Sequence, residues 1–394
     1  MSKRSPASSR RVRLAQVMAF GLSLLAALHY YIWVRLVRDT VLPEPWRTVA
    51  TLLIVTMYAS MPAAFYLYVT RHRLAKLLMW PGFVWMGMLL ILPCWLAVVD
   101  VIRLATHLLG GAADAGSSTA LARTLGGAAA ALAGVTGMVA LLEGLRPPRI
   151  REVHVPLKRL PPPMDGTTLV QLSDVHLGPT RGRSFTETLV RRSNALAPDV
   201  VVITGDLVDG RVHELARSVA PLRDLKSRWG VYFVTGNHEY YSGVNEWISH
   251  LGTLGIRVLR NERVSIGDTP HTFDLAGIHD RTGHGYPGHA PDLARALAGR
   301  DGSRELVLLA HQPRAVAEAA EHGVGLQISG HTHGGQIWPF NWAVRLSQPY
   351  VAGLARFKDT LLYVSRGTGY WGPPMRLVAP AEITRITLRA APDS

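Results

Sequence analysis

Seven side chains able to hold a metal ion recur beyond the first third of the chain: Asp174, His176, Asp206, Asn237, His311, His331 and His333. Each stands at or just past a short apolar run rich in Val, Ile and Leu. Two aspartates, one amide and four imidazoles make an oxygen and nitrogen set that suits Mn, Fe, Zn or Co, not a soft thiolate metal. Singly, each has a duller explanation: Asp and Asn after a strand usually cap a turn, and a lone His is more often structural. Recurrence at successive strand ends favours one shared site. In "SGHTHGGQ", Ser329–Gln336, the two histidines alternate onto the same side of an extended backbone. Both can therefore reach toward one spot, and the flanking glycines let the backbone come close without a Cβ clash.

The blocks around these residues spell a pattern. "DVH" (Asp174–His176), "GDLVD" (Gly205–Asp209), "GNHE" (Gly236–Glu239), the His of "LAHQP" (His311) and "GHTH" (Gly330–His333) occur in that order. Together they resemble the five signature blocks of the calcineurin-like metallophosphoesterases, with none missing. The resemblance runs from Leu169 to the C-terminus. With "YVSRGTGYWGPP" added, the chain is most similar to a membrane-associated bacterial branch that includes the UDP-2,3-diacylglucosamine hydrolases of lipid A synthesis. The resemblance implies two divalent ions, manganese first, with Fe, Zn or Co as alternatives. Asp174, His176 and His333 would hold one ion, Asn237, His311 and His331 the other, and Asp206 would bridge them. Two such ions, about 3.5–4 Å apart, would turn a shared water into hydroxide and clamp the phosphate during in-line attack. His238 resembles the family's catalytic histidine, which protonates the leaving oxygen, and Asp209 resembles the carboxylate that orients it. The implied fold is α/β, a four-layer αββα sandwich.

The elements that must position these residues are legible as patterns. "REVHVPL", "TTLVQLSD", "DVVVITGD", "GVYFVTGN", "TFDLAGIHD", "RELVLLAH", "VGLQISGH", "TLLYVSRG" and "EITRITLRA" read as strands. "SFTETLVRRSNAL", "HELARSVAPLRDL", "NEWISHLGTLG" and "PDLARALAG" read as helices with polar outer faces. Near-continuous runs such as Val200–Ile203 predict strands covered on both faces, hence a layered α/β architecture. Open α/β sheets bind ligands at the carboxyl ends of their strands, which is where the seven residues stand.

The first third is different. Four stretches, Leu14–Val37, Val49–Val69, Leu77–Ile102 and Ala120–Leu142, reach the roughly 20 apolar residues that a bilayer crossing requires. Residues 1–145 are thus expected to form a transmembrane region of about four helices. A Pro-rich linker follows over 146–166, "RPPRIREVHVPLKRLPPPMDG", and the phosphoesterase domain occupies 167–394. Basic residues cluster before the first span (Lys3, Arg4, Arg10, Arg11, Arg13), between the second and third (Arg71, Arg73, Lys76) and after the fourth (Arg146, Arg149, Arg151, Lys158, Arg159). The other links balance Arg38 and Arg47 against Asp39 and Glu44, and Arg103 against Asp114. The positive-inside rule then puts both ends in the cytoplasm, with the protein multi-pass in a bacterial inner membrane. "SSRRVRLA", Ser8–Ala15, loosely resembles a twin-arginine export signal, which would put the C-terminal part outside instead.

Composition bounds the function. The net charge is +14, with 13 Lys/Arg against 5 Asp/Glu through Glu143 and 29 against 23 beyond it. That modest basic excess, without an aromatic-and-basic stretch, disfavours nucleic acid as partner. A single cysteine, Cys94, excludes disulfides and thiolate metal sites. "IWPFNWAV", Ile337–Val344, is either core or a lip facing lipid, since Trp favours the membrane interface. His279, His284 and His289 sit in a Gly-rich loop that either touches substrate or decorates the surface. Arg281, in the same loop, is a candidate grip for a second phosphate. The expected protein is a membrane-integral hydrolase of a phosphodiester or pyrophosphate on a lipid-linked substrate. A metal-dependent nuclease or cyclic-nucleotide phosphodiesterase is the alternative enzyme. A non-catalytic membrane sensor that retains the fold is the alternative from another class.

Overall fold

The computed structural model describes residues 6–69, 75–110 and 115–391. Lys3, Arg4, Arg71, Arg73 and Asp114 of the loop-charge pattern lie outside the described residues, as do the side chains of Arg10, Arg11, Arg13 and Lys76. The chain divides into two compact units, Met1–Leu141 and Leu142–Ser394.

The N-terminal unit is built from α1 (Pro6–Trp33), α2 (Trp46–Val69), α3 (Ala75–Gly110) and most of α4 (Ala115–Leu145), with a π-helical turn, Val34–Arg38, extending α1. Val17, Phe20, Leu24, Val101, Leu108 and Val135 are all exposed. Apolar surface on that scale suits hydrocarbon, not water. Among the described residues three helical stretches are long and apolar enough to cross a membrane: Ala15–Arg38, Leu78–Leu109 and Gly116–Leu145. The sequence predicts four, and α2 is not among the three. Its first turn carries Arg47 and Thr48, and some side chains toward its end are not described. Some charges of the sparse links pair among the described residues. Asp39 pairs with Arg35 at 2.8 Å, Arg38 at 2.9 Å and Arg103 at 2.9 Å, while Asp100 pairs with Arg35 at 2.8 Å.

The second unit holds twelve strands. In chain order they are β1 (Arg149–Leu157), β2 (Thr168–Leu172), β3 (Val200–Ile203), β4 (Val231–Phe233), β5 (Ile256–Val258) and β6 (Glu262–Asp268). There follow β7 (His271–Gly277), β8 (Leu306–Leu309), β9 (Leu326–Ser329), β10 (Gly353–Phe357), β11 (Thr360–Val364) and β12 (Glu382–Ala390). They form two six-stranded sheets, ordered β1-β12-β2-β3-β4-β5 and β10-β11-β9-β8-β7-β6. Both are mixed, but the strands that matter run in parallel: β2, β3 and β4 in one sheet, β8 and β9 in the other. Parallel neighbours deliver their carboxyl ends to the same sheet edge. The stretch read as a linker contains β1, which pairs with β12 over nine residues. Its Pro156 is tolerated because β1 is an edge strand.

One core lies between the sheets, where Leu169, Val202 and Ile386 meet Phe273, Leu309, Ile328 and Tyr363. The outer face of the first sheet packs Ile203 and Phe233 against α5 (Arg183–Asn194), α6 (Val212–Val219) and α8 (Val244–Thr253), the last through Trp247, with α7 (Asn237–Ser242) just ahead of α8 in the chain. The outer face of the second packs Leu306 and Leu308 against α9 (Leu293–Leu297) and α10 (Val316–Glu321). Strands sealed on both faces explain why their sequences read as unbroken Val, Ile and Leu. Each fully buried aliphatic side chain contributes about 1.5–3 kcal/mol, so the strand ends are fixed points.

Candidate metal centre

Asp174 and His176 follow β2, Asp206 follows β3, Asn237 opens α7 after β4, His311 follows β8, and His331 and His333 follow β9. Five of the seven, Asp174, His176, Asp206, His331 and His333, have positive φ, between 50° and 73°. For residues with a Cβ that conformation costs about 1–3 kcal/mol each, and it concentrates at functional sites. Two glycines make the crowding possible. A Cβ on Gly205, whose φ is +85°, would stand 2.5 Å from Gly236 N, and one on Gly330 would run into Ser173 Oγ and Asp174 Oδ2. The turns are also pinned by Glu239. Its buried carboxylate accepts from the backbone N–H of Asp206 at 3.0 Å, Leu207 at 2.8 Å and Gly236 at 2.7 Å. Burial, then Asp206 nearby, pushes its pKa up to about 7.

The side chains converge in two overlapping groups. Asp174, His176 and His333 bring their ligand atoms within 4.8 Å of one another, and so do Asp206, His311 and His331. Asn237 Oδ1 joins the second group, 3.3 Å from His311 Nε2. Asp206 Oδ2 lies between them, 3.1 Å from His311 Nε2 and 3.9 Å from His176 Nε2. Asp174 accepts the N–H of His331 at 2.9 Å and the hydroxyl of Ser173 at 2.6 Å, so the first ligand is locked to the loop that carries the last two.

This donor set fits divalent ions. His311 Nδ1 faces the Thr204 carbonyl at 2.7 Å, so Nδ1 carries the hydrogen and Nε2 points inward. His176 Nε2 and His333 Nε2 approach to 3.1 Å, as do His331 Nδ1 and His311 Nε2. Two nitrogens bound at right angles to one ion, each about 2.1 Å from it, would sit about 3 Å apart. Burial, then the neighbouring His311, lowers the pKa of His331 to about 4. Burial and His176 lower that of His333 well below the usual value, so both rings keep a lone pair at neutral pH. Burial opposes a charge on His311, yet the adjacent Asp206 outweighs it and lifts its pKa well above normal.

His238 stands at the mouth of this cluster. Its Nδ1 donates to Asp209 Oδ1 at 2.6 Å, and the same oxygen lies 3.0 Å from His176 Nδ1. Burial disfavours the imidazolium, but Asp209 and Asp206 raise the pKa of His238 to about 9. Burial would likewise raise Asp209, and the two histidines hold it well below the usual carboxylate range. The ring of His238 meets Tyr241 and Trp371 edge-on, with centroids 5.4 and 5.9 Å away, and both aromatics are exposed. His238 also forms a compact triplet with His176 and Asp206, so proximity alone permits a ligand role too.

The remaining expected residues divide. His279 and His289 are buried; they meet Tyr240 Oη at 3.2 Å and Asn245 Oδ1 at 2.9 Å respectively. They support α7 and do not line the metal cluster. His284 and Arg281 are exposed on a 3₁₀ turn. Of "IWPFNWAV", Ile337 is core, while Trp338, Phe340 and Trp342 are exposed. Sequence reasoning missed the role of Glu239, although it lies inside a quoted block. It also missed Arg376, a fully buried guanidinium that donates to the Ala379 carbonyl at 2.7 Å and stands 3.4 Å from His333 Nδ1. Nothing in the local pattern around Arg376 marks it.

Residues 167–335 match the family of calcineurin-like phosphoesterases. The chain is 40% identical over 366 residues to a Bos taurus protein named transmembrane protein with metallophosphoesterase domain, covering 88% of this chain and 81% of that one. A Danio rerio protein of the same name is 36% identical over 396 residues, 95% of this chain and 90% of that one. An uncharacterized metallophosphoesterase of Helicobacter pylori is 40% identical over 248 residues, 62% of this chain and 65% of that one. Vertebrate relatives make a purely bacterial branch too narrow a description. The chain belongs to the calcineurin-like phosphoesterase family, with apolar helices ahead of its phosphoesterase domain.

Proposed function

We propose that this chain is a membrane-anchored phosphoesterase that uses two divalent ions, manganese first, to hydrolyse a lipid-linked phosphodiester or pyrophosphate of the UDP-diacylglucosamine type. The observation that carries it is the convergence of seven oxygen and nitrogen ligands beside the His238–Asp209 pair. Asp174, His176 and His333 would hold one ion, Asn237, His311 and His331 the other, with Asp206 shared. Bound there, the ions would supply Lewis acidity on phosphate oxygens and a nucleophile at neutral pH. The chain's own contribution is placement and protons. Asp209 fixes the His238 ring, whose raised pKa keeps Nε2 protonated at neutral pH for the departing oxygen. Exposed Trp338, Phe340 and Trp342 support a substrate held at a membrane surface. Arg146, Arg149, Arg151, Lys158 and Arg159, just past the last helix, support a cytoplasmic domain at the inner or plasma membrane.

The test is hydrolysis of bis-p-nitrophenyl phosphate by the full chain, before and after chelation. Activity should vanish with the ions and return with added Mn. Asp206→Asn should weaken both ions together, because a neutral amide replaces the shared carboxylate. Chelator-resistant turnover, or a fully active Asp206→Asn protein, would overturn the reading.

A further inference from the structure

Beside the metal centre lies a groove of about 520 Å³ whose walls include Gly334, Trp338, Asn341, Arg345, Tyr350 and Arg366. It adjoins the ligands directly. Gly334 follows His333, and a Cβ on Gly367, the neighbour of Arg366, would stand 3.1 Å from Asp174 Cβ and 3.2 Å from His333 Nδ1. Thr332 Oγ1 donates to the Val351 carbonyl at 2.6 Å, tying the histidine loop to the groove wall. The lining contains two guanidinium groups and no carboxylate. Arg366 has a partner outside the lining, Glu382 at 3.4 Å, but that carboxylate also accepts the Tyr363 hydroxyl at 2.7 Å and so is shared. Arg345 lies over the ring of Trp342 at 5.3 Å, which holds its head at the rim.

The groove is carried by α11 (Asn341–Ser347), a helix with no buried residue. Trp342 is 61% exposed and Leu346 91%, so these apolar side chains are largely uncovered among the described residues. Cationic side chains over an apolar helical face match an amphiphile with an anionic head.

We propose that this groove is a second anion subsite, in which Arg345 and Arg366 take a further phosphate or carboxylate of the substrate while its scissile phosphate occupies the metal centre. The inference rests on the phosphoesterase reading above and narrows the substrate class to amphiphiles with two anionic groups. A simple monoanionic diester leaves the arginines unused. The sequence points to Arg281 for such a grip, but Arg281 is exposed on its turn and absent from the groove.

The experiment is calorimetric binding to the metal-loaded full chain, with methylphosphonate compared against 1,1-, 1,3- and 1,6-alkane bisphosphonates. At least one bisphosphonate should bind about tenfold tighter than methylphosphonate, the gain expected from charge-assisted contacts to two guanidiniums. Arg345→Gln, at an exposed position, and Arg366→Gln should each shrink that ratio several-fold, and Arg366→Lys should recover part of it. A ratio near one in the wild-type protein, or a ratio untouched by both Gln variants, would overturn the subsite. Failure of the underlying reading registers separately, as wild-type protein that does not hydrolyse bis-p-nitrophenyl phosphate with any of Mn, Co or Zn.

Discussion

At the scale of single residues, the proposed role of His238 predicts that ligand binding and chemistry can be separated there. His238 is hydrogen-bonded to Asp209 and faces the exposed Tyr241 and Trp371, whereas the seven expected ligand side chains converge beside it. His238→Ala should therefore keep bound metal near the wild-type level and slow turnover about 10²–10⁴-fold, the usual contribution of a general acid. The deficit should shrink for p-nitrophenolate, which departs without a proton. Metal analysis beside kinetics checks this, and a matched loss of ions would make His238 a ligand. All nine expected site residues come together in space, because each rides on the end of a buried strand or its first turn. What the sequence left hidden is the support around them. Arg376 reaches His333 from a different loop, and an isolated arginine carries no pattern that announces burial.

At the scale of elements, most strands were legible from an apolar run or an alternation bounded by turn residues, three-residue β4 and half-exposed β1 included, whereas β5, β6 and β10 were not. β5 has three residues and one exposed arginine, β6 alternates weakly, and β10 is an edge strand whose exposed side chains are Leu354 and Arg356. α7 and α10, with six residues each, also went unread, whereas five-residue α9 was legible because Asp292 caps it and Leu293, Ala296 and Leu297 recur at helical spacing. The Gly-rich loop after β7 gave a mixed reading because His279 and His289 face inward while His284 is exposed. There His279 packs on His289, with ring centroids 4.8 Å apart, and on the Tyr240 hydroxyl. Burial first, then His289, Arg260 and Arg295, lowers its pKa to about 4. The unfolded chain takes up this proton near its ordinary pKa of about 6.5 while the folded chain refuses it until about 4. Stability from neutral His279 is thus complete above pH 6.5 and drains away as the pH falls toward 4. With allowance for solvent screening the loss is about 2 kcal/mol. Thermal unfolding of the EDTA-treated full chain should be less acid-sensitive in His279→Gln than in wild type. Parallel curves for the two proteins would assign the acid loss elsewhere.

At the scale of the whole molecule, the chain joins apolar helices to a hydrolase domain that displays aromatic side chains beside its ligands. Trp338 and Trp342 are 49% and 61% exposed, and Phe340 lies between them in sequence. Water gives no reason to display three large rings there; a bilayer surface or an acyl chain does. The sequence could offer this segment only as core or lip, since its apolar run has the same composition in either role. Its sharp turn, set by the left-handed Gly334 and Gly335, buries Ile337 and turns the aromatics outward. If the rings hold substrate chains, each methylene taken from water adds about 0.8 kcal/mol, roughly fourfold in affinity. Acylated substrates should then be preferred over deacylated analogues carrying the same phosphate, by orders of magnitude for even partial chain burial. Replacing Trp338, Phe340 and Trp342 together with Ser should raise KM for the acylated substrate far more than for the deacylated one, collapsing the ratio of their kcat/KM. Kinetics of the full chain in detergent or nanodiscs decide the matter. A wild-type protein equally efficient on both substrates would remove the lipid from the reaction, and a triple variant that loses both equally would return these rings to a structural role.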